Sequence, residues 1–135
     1  MLLDANIFLE AALAEEHGEA CRAVLERSRD GKVDTAVTDF HVDSIVLVME
    51  SHGKGWKEIS LFLASLRRYK GLKVHVLGLD ERIKATMIMR DYDLDFDDAL
   101  AVQALRELSW DTIVSYDQHF DSVDWVRRKT PEDLL

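Results

Sequence analysis

Apolar positions along the 135-residue chain change period several times, and each change marks an expected element. The opening residues Met1–Leu3 form a short buried run that stops at Asp4 and predict a strand. "NIFLEAAL" (6–13) and "GEACRAVLERSRDG" (18–31) carry helical spacing, the second closed by Gly31. "VDTAVT" (33–38) alternates as a strand does. Val42, Ile45, Val46 and Met49 then repeat at i, i+3, i+4, i+7, which predicts a helix over 40–50 with Asp39 as its cap. After the break "HGKG", Trp56, Ile59, Phe62, Leu63 and Leu66 line one side of a helix over 56–69. "KVHVL" (73–77) predicts a strand, and Asp80 a cap for a helix over 81–90. A helix over 96–108 carries Ala101, Ala104, Leu105 and Leu108 on one stripe. "DTIVSY" (111–116) is the clearest late strand, and "DWVRR" predicts a short edge strand before Pro131. Strands that alternate with helices across short turns predict an α/β fold: a central, mostly parallel sheet flanked by helices, in one domain over residues 1–135.

Composition narrows the class. Apolar residues make up 47 % and charged residues 32 %, a globular balance. No apolar run reaches the roughly 20 residues a membrane span needs. The start lacks a basic segment ahead of its apolar residues, so no signal peptide is expected, and the single cysteine suits a reducing, cytoplasmic location. A formal net charge of −9 speaks against a simple nucleic-acid binder. Bound cations would offset part of that charge, and basic residues cluster locally in "RRYKGLK" (67–73) and "RRK" (127–129).

The acidic residues carry the chemistry. "DYDLDFDDAL" (91–100) holds five aspartates in ten positions at the mouth of a helix. Negative charge is favoured at a helix N-terminus, and Asp95 fits the N-cap, but capping uses only one or two of them. Asp4 directly follows the first strand and Asp117 the strand before it in "SYDQHF". Asp97 or Asp98 opens the helix that leads to that strand, and Asp43 lies one turn into the helix after 33–38. In open parallel sheets such junctions converge beyond the carboxyl ends of the strands. Carboxylates packed there repel one another unless a hard divalent cation joins them, and an oxygen-only set points to Mg²⁺ or Mn²⁺. The five histidines show no zinc spacing. His41 and His52 read as helix residues, and His119 as a solvated loop position near Asp117.

"LLDANIFLE", the acidic residue within "DFHVDSIVLVM", "LDFDDALAVQAL" and "TIVSYDQHF" together resemble the four motifs of the PIN domain, in order, spacing and chain length. Short members of this kind are typically VapC-like toxin ribonucleases of VapBC toxin–antitoxin systems. The resemblance implies an acidic set of Asp4, Asp43, Asp98 and Asp117. It selects Asp98 over Asp97, because the family's third aspartate directly precedes a small residue, here Ala99. Asp4, Asp98 and Asp117 are expected to hold one or two Mg²⁺ or Mn²⁺ ions. Asn6 and Ser115 would orient the carboxylates, and Asp121 would support the site. The reaction expected is hydrolysis of an RNA phosphodiester. An antitoxin partner and a homodimer follow from the same resemblance, with no membrane association.

Two residues depart from the family pattern. Ala5 replaces the hydroxyl residue usual after the first aspartate, and the second acidic residue is Asp43 where Glu is common. Two other readings compete. A phosphatase of the haloacid dehalogenase type needs a second aspartate at position 6, where the chain has Asn. A PIN-like domain kept for protein binding is compatible with Ala5. Arg67, Arg68, Lys70, Arg127 and Arg128 are expected near the rim of the acidic site, where they would steer the phosphates of RNA.

Overall fold

The computed structural model describes residues 1–135. In chain order its elements are β1 (Leu2–Leu3), α1 (Ala5–Ala12), α2 (Gly18–Arg29), β2 (Thr35–Thr38), α3 (Asp39–Ser51) and α4 (Trp56–Leu66). They continue with β3 (Leu72–His75), α5 (Leu79–Tyr92), α6 (Phe96–Leu108), β4 (Thr112–Val114) and β5 (Arg127–Lys129). Short 3₁₀ turns cover Gln118–Ser122 and Pro131–Leu134.

All five strands are parallel, in the order β3-β2-β1-β4-β5. Neighbouring strand residues are buried on opposite faces, as the period of two requires. Leu2 and Ala36 face one helical layer, with Ala85, Ile88, Leu100, Val102 and Leu105 from α5 and α6. Leu3, Val37 and Val114 face the other, with Ile7, Phe8, Val24, Ile45 and Met49 from α1 to α3. A sheet covered on both sides needs near-continuous apolar strands, and β1 and the last two residues of β4 are fully apolar. From β1 the chain proceeds outward to β2 and β3, then crosses back to β4 and β5 on the other side. The order therefore reverses between β1 and β4, and the crevice beyond their carboxyl ends is where an open α/β sheet offers a site.

Several element ends differ from the expectation. Thr38, not Asp39, caps α3: its hydroxyl accepts from the His41 N–H at 3.0 Å. Asp39 instead accepts from the Phe40 and Leu77 N–H groups at 2.9 and 3.0 Å, and so ties α3 to the segment after β3. Gly78 rather than Asp80 precedes the first turn of α5. The last strand begins three residues later than expected, because Val123 and Val126 are drawn into the core beside Phe120. No helix is long and apolar enough to cross a membrane.

Candidate functional site

The five aspartates of "DYDLDFDDAL" divide five ways. Asp91 stays within α5 and pairs with Arg90 at 2.9 Å. Asp93 ends that helix in the left-handed conformation (φ 53°), which Asn and Asp tolerate better than other residues with a Cβ. Asp95 caps α6, accepting from the Asp98 N–H at 2.9 Å. Asp97 meets the ring of His41. Asp98, held at N3 by that cap, turns inward.

Asp98 is only 8 % exposed, and no donor of the protein hydrogen-bonds its carboxylate. The nearest nitrogen beside it is His119 Nδ1 at 3.6 Å. Burial, and then the charges of Asp117, Asp95, Asp97 and Asp4, push its pKa up to about 7. A carboxylate that is buried, unpartnered and surrounded by its own kind either takes up a proton or is held charged by a cation.

Asp4 follows β1 directly and caps α1 through its backbone alone. Its N–H donates to the Val114 carbonyl at 3.1 Å, which fixes it at the β1–β4 crevice. The freed carboxylate accepts from Ser115 Oγ at 2.6 Å through Oδ2. Burial raises the Asp4 pKa, against the Ser115 hydrogen bond and the nearby His41, which lower it. Ser115 is fully buried, and its Oγ also accepts from the Asp117 N–H at 3.0 Å. One hydroxyl thus sets the spacing of two aspartates 113 positions apart in sequence. Asp117 caps the 3₁₀ turn after β4, accepting from the His119 N–H at 2.9 Å.

The structure therefore brings Asp98 and Asp117 together with His119, one ligand atom of each lying within 4.8 Å of the others, and sets Asp4 beside them through Ser115. It does not bring Asp43 there. The buried face of α3 carries His41, Val42, Ile45 and Met49. Asp43, two residues past His41 and so about 200° round the helix, is exposed and makes no side-chain hydrogen bond or ion pair. Glu50, on the same helix, is exposed as well.

Among the supporting residues, Asn6 is exposed and makes no side-chain hydrogen bond, unlike Ser115. Asp121 acts through an arginine. It holds Arg128 by two hydrogen bonds, Nε at 2.9 Å and Nη2 at 3.0 Å, and Arg128 Nη1 reaches the Ser115 carbonyl at 3.3 Å. That pairing holds the Asp121 carboxyl below its usual range.

The other basic residues lie at the opposite end of the sheet. Arg127 starts β5 opposite Thr112 and pairs with Asp111 at 3.5 Å, at the amino end of β4. Arg67 and Arg68 precede β3, where the Lys70 N–H donates to the Arg29 carbonyl at 3.1 Å. Arg67 also borders a groove of about 780 Å³ between α3 and α4, lined by Val46, Trp56 and Leu63.

Two residues of the site escaped the sequence reading. His41 is buried, with Nδ1 at 2.5 Å from Thr38 Oγ1 and Nε2 against Asp97. The signal was the Thr-x-x-His spacing, which puts residue 41 at N3 under the cap and faces it inward. His119 Nδ1 lies 3.1 Å from Asp117 Oδ1, because the 3₁₀ turn folds position 119 back over its own cap.

Comparisons with known proteins agree with the fold. A solved structure of VapC20 from Mycobacterium tuberculosis, a sarcin–ricin-loop-cleaving toxin, superposes with a TM-score of 0.74 at 12 % identity, covering 93 % of this chain and 95 % of that one. A toxin–antitoxin complex from Klebsiella pneumoniae gives 0.69 at 12 % identity, with 96 % of each chain covered. VapBC2 from Rickettsia felis, bound to a DNA fragment from its promoter, gives 0.64 at 12 % identity over 96 % of each chain. No curated protein matches the sequence. At such identity these structures speak for the fold alone, but the PIN domain model matches residues 1–126 directly, spanning every carboxylate of the cluster. With sheet order, acidic crevice and sequence model in agreement, this chain belongs to the PIN domain family.

Proposed function

We propose that the protein is a Mg²⁺- or Mn²⁺-dependent endoribonuclease and the toxin of a toxin–antitoxin pair. The observation that carries this reading is the buried, unpartnered carboxylate of Asp98 beside Asp117 and Asp4 in a PIN domain. The donor set fits a hard divalent cation: Asp98 and Asp117 lie together, Asp98 without any hydrogen-bond donor, and Asp4 is set beside them through Ser115.

Asp4, Asp98 and Asp117 are the residues that would hold the ion. When bound, it supplies a water acidified for attack at neutral pH and offsets charge developing on the phosphoryl oxygens. The chain's own part is placement. Ser115 keeps Asp4 and Asp117 in register through one hydroxyl. Arg128 braces the Ser115 carbonyl from behind, itself clamped by Asp121. His41, locked between Thr38 and Asp97, orients Asp97 at the edge of the cluster. The rim stays open, with the Asp117 side chain 32 % and the His119 side chain 75 % exposed, which suits a polymer that must lie across the site. An enclosed small-molecule phosphatase site would exclude water more fully.

RNA as substrate is supported by the likeness to a toxin that cleaves the sarcin–ricin loop. The likeness to toxin–antitoxin complexes supports an antitoxin partner, and the α3–α4 groove, where Trp56 is 75 % exposed, offers an apolar surface for one. A second copy is the occupant proposed for α5, where Leu79, Ile83 and Met87 form an exposed i, i+4, i+8 stripe. The protein would act in the cytoplasm.

The test is cleavage of a structured RNA by pure protein, stripped with EDTA and then given Mn²⁺. Cleavage that returns with Mn²⁺ in the wild type and not in Asp98→Asn supports the reading. Cleavage unaffected by EDTA contradicts it.

A further inference from the structure

We propose that His119 is a protein ligand of the bound cation, through Nδ1, and that this nitrogen turns the preference of the site from Mg²⁺ toward Mn²⁺. The inference rests on the reading of the cluster as a cation site and adds a donor of a different chemical kind.

The turn that opens at Asp117 is short, and its first hydrogen bond runs from the His119 N–H to Asp117 Oδ1 at 2.9 Å. This bond carries the imidazole back over the carboxylates instead of outward along the loop. Nδ1 comes to 3.1 Å from Asp117 Oδ1 and 3.6 Å from Asp98 Oδ2. Adjacent ligands of an octahedral ion with bonds of about 2.1 Å stand roughly 3.0 Å apart. The observed spacing is therefore close to that of neighbouring ligands, with a small contraction needed on the Asp98 side.

The second observation is independent of the histidine. The Asp98 side chain is nine-tenths buried, points into the same opening, and has no donor of its own. Nothing else in the protein competes for the ring: outside this cluster His119 makes no side-chain hydrogen bond or ion pair, and its side chain is 75 % exposed. As a ligand through Nδ1 the ring would be the tautomer that carries its proton on Nε2. Carboxylate oxygens alone serve Mg²⁺ and Mn²⁺ alike, whereas an imidazole nitrogen is a better ligand for a first-row transition ion such as Mn²⁺ than for the harder Mg²⁺. A mixed oxygen–nitrogen set therefore discriminates for Mn²⁺.

Pulsed electron paramagnetic resonance of Mn²⁺ bound to the full chain reads the ligand directly. The expected result is nitrogen modulation from a coordinated imidazole in the wild type. It should vanish in His119→Ala and persist in His41→Ala. In titrations, His119→Ala should weaken Mn²⁺ binding by about tenfold or more while changing Mg²⁺ binding by roughly threefold or less. Mn²⁺ binding that depends on Asp98 but shows no nitrogen modulation overturns the histidine ligand and leaves the cation site standing. Modulation that survives in His119→Ala overturns it too. Absence of any Asp98-dependent Mn²⁺ binding removes both the ligand and the reading beneath it.

Discussion

The two ends of the sheet treat charge in opposite ways. At the amino end, cations meet partners within the chain. The Met1 ammonium donates to the Asp34 carbonyl at 2.8 Å, Arg127 pairs with Asp111, and Lys73 and Arg106 lie over the rings of Trp110 and Trp125. At the carboxyl end, Asp4, Asp98 and Asp117 converge and the chain supplies little to neutralise them. Arg128 is close, but Asp121 already occupies two of its nitrogens. Apolar packing and backbone hydrogen bonds hold that end together in spite of its charge. The difference teaches that the carboxyl end is the one suited to receive a cation, and that the amino end is framework.

The largest effect should come from Asp98→Asn. Cleavage should fall by at least about a hundredfold, as expected on removing a group that places charge at a reacting centre. Without added metal the same variant should be more stable than the wild type, and the gain should depend on pH. The folded-state pKa of Asp98 is raised to about 7 from the ordinary 3.8. A carboxyl raised in this way costs nothing below the unfolded value and opposes folding increasingly as pH climbs to the folded one. The stability difference between variant and wild type should therefore open between about pH 4 and 7 and level off above it, reaching on the order of a few kcal/mol. Denaturant midpoints across that range in EDTA check this, and a pH-independent difference would break the comparison.

Ser115→Ala comes next. It removes the one hydroxyl that Asp4 and Asp117 share, so metal affinity measured by calorimetry should drop by about 10- to 100-fold. Stability should fall by roughly 1 kcal/mol. His41→Ala should act mainly on the fold: a buried ring bonded at both nitrogens is lost, at a cost of about 2–4 kcal/mol in thermal or denaturant unfolding. The smallest effects belong to the amino end. Arg127→Ala should shift stability by less than about 1 kcal/mol, as exposed ion pairs do. The double change Arg67→Ala with Arg68→Ala should leave the salt dependence of RNA binding at its wild-type slope, because these residues lie by β3's amino end. A flattened slope would show that RNA reaches around to the framework end and would redraw the contrast.

What could be read from the sequence depended on how local each signal was. The convergence of Asp4, Asp98 and Asp117 was legible because each stands where a buried run meets a helix or turn, and parallel topology carries such junctions to one end. The phase of α3 was not legible from its apolar stripe alone. Val46 and Val42 both fit that stripe, but only Val42 is buried, and the cap at Thr38 decides which way the helix faces. That cap brings His41 inward and leaves Asp43 outside. Asp39 looked like the cap because it precedes the stripe, yet it serves better by bridging to the segment after β3. The basic clusters misled for a different reason. Charge runs name residues without saying which end of a strand they occupy, and β5 begins at Arg127, opposite the start of β4.

The central claim, that the carboxyl end of the sheet is completed by a divalent cation, is tested most directly by anomalous scattering from a crystal soaked in Mn²⁺. The account predicts a peak at about 2.2 Å from oxygens of both Asp98 and Asp117, within reach of Asp4. No peak at that crevice, or strong peaks only among the exposed acidic residues elsewhere, would contradict it.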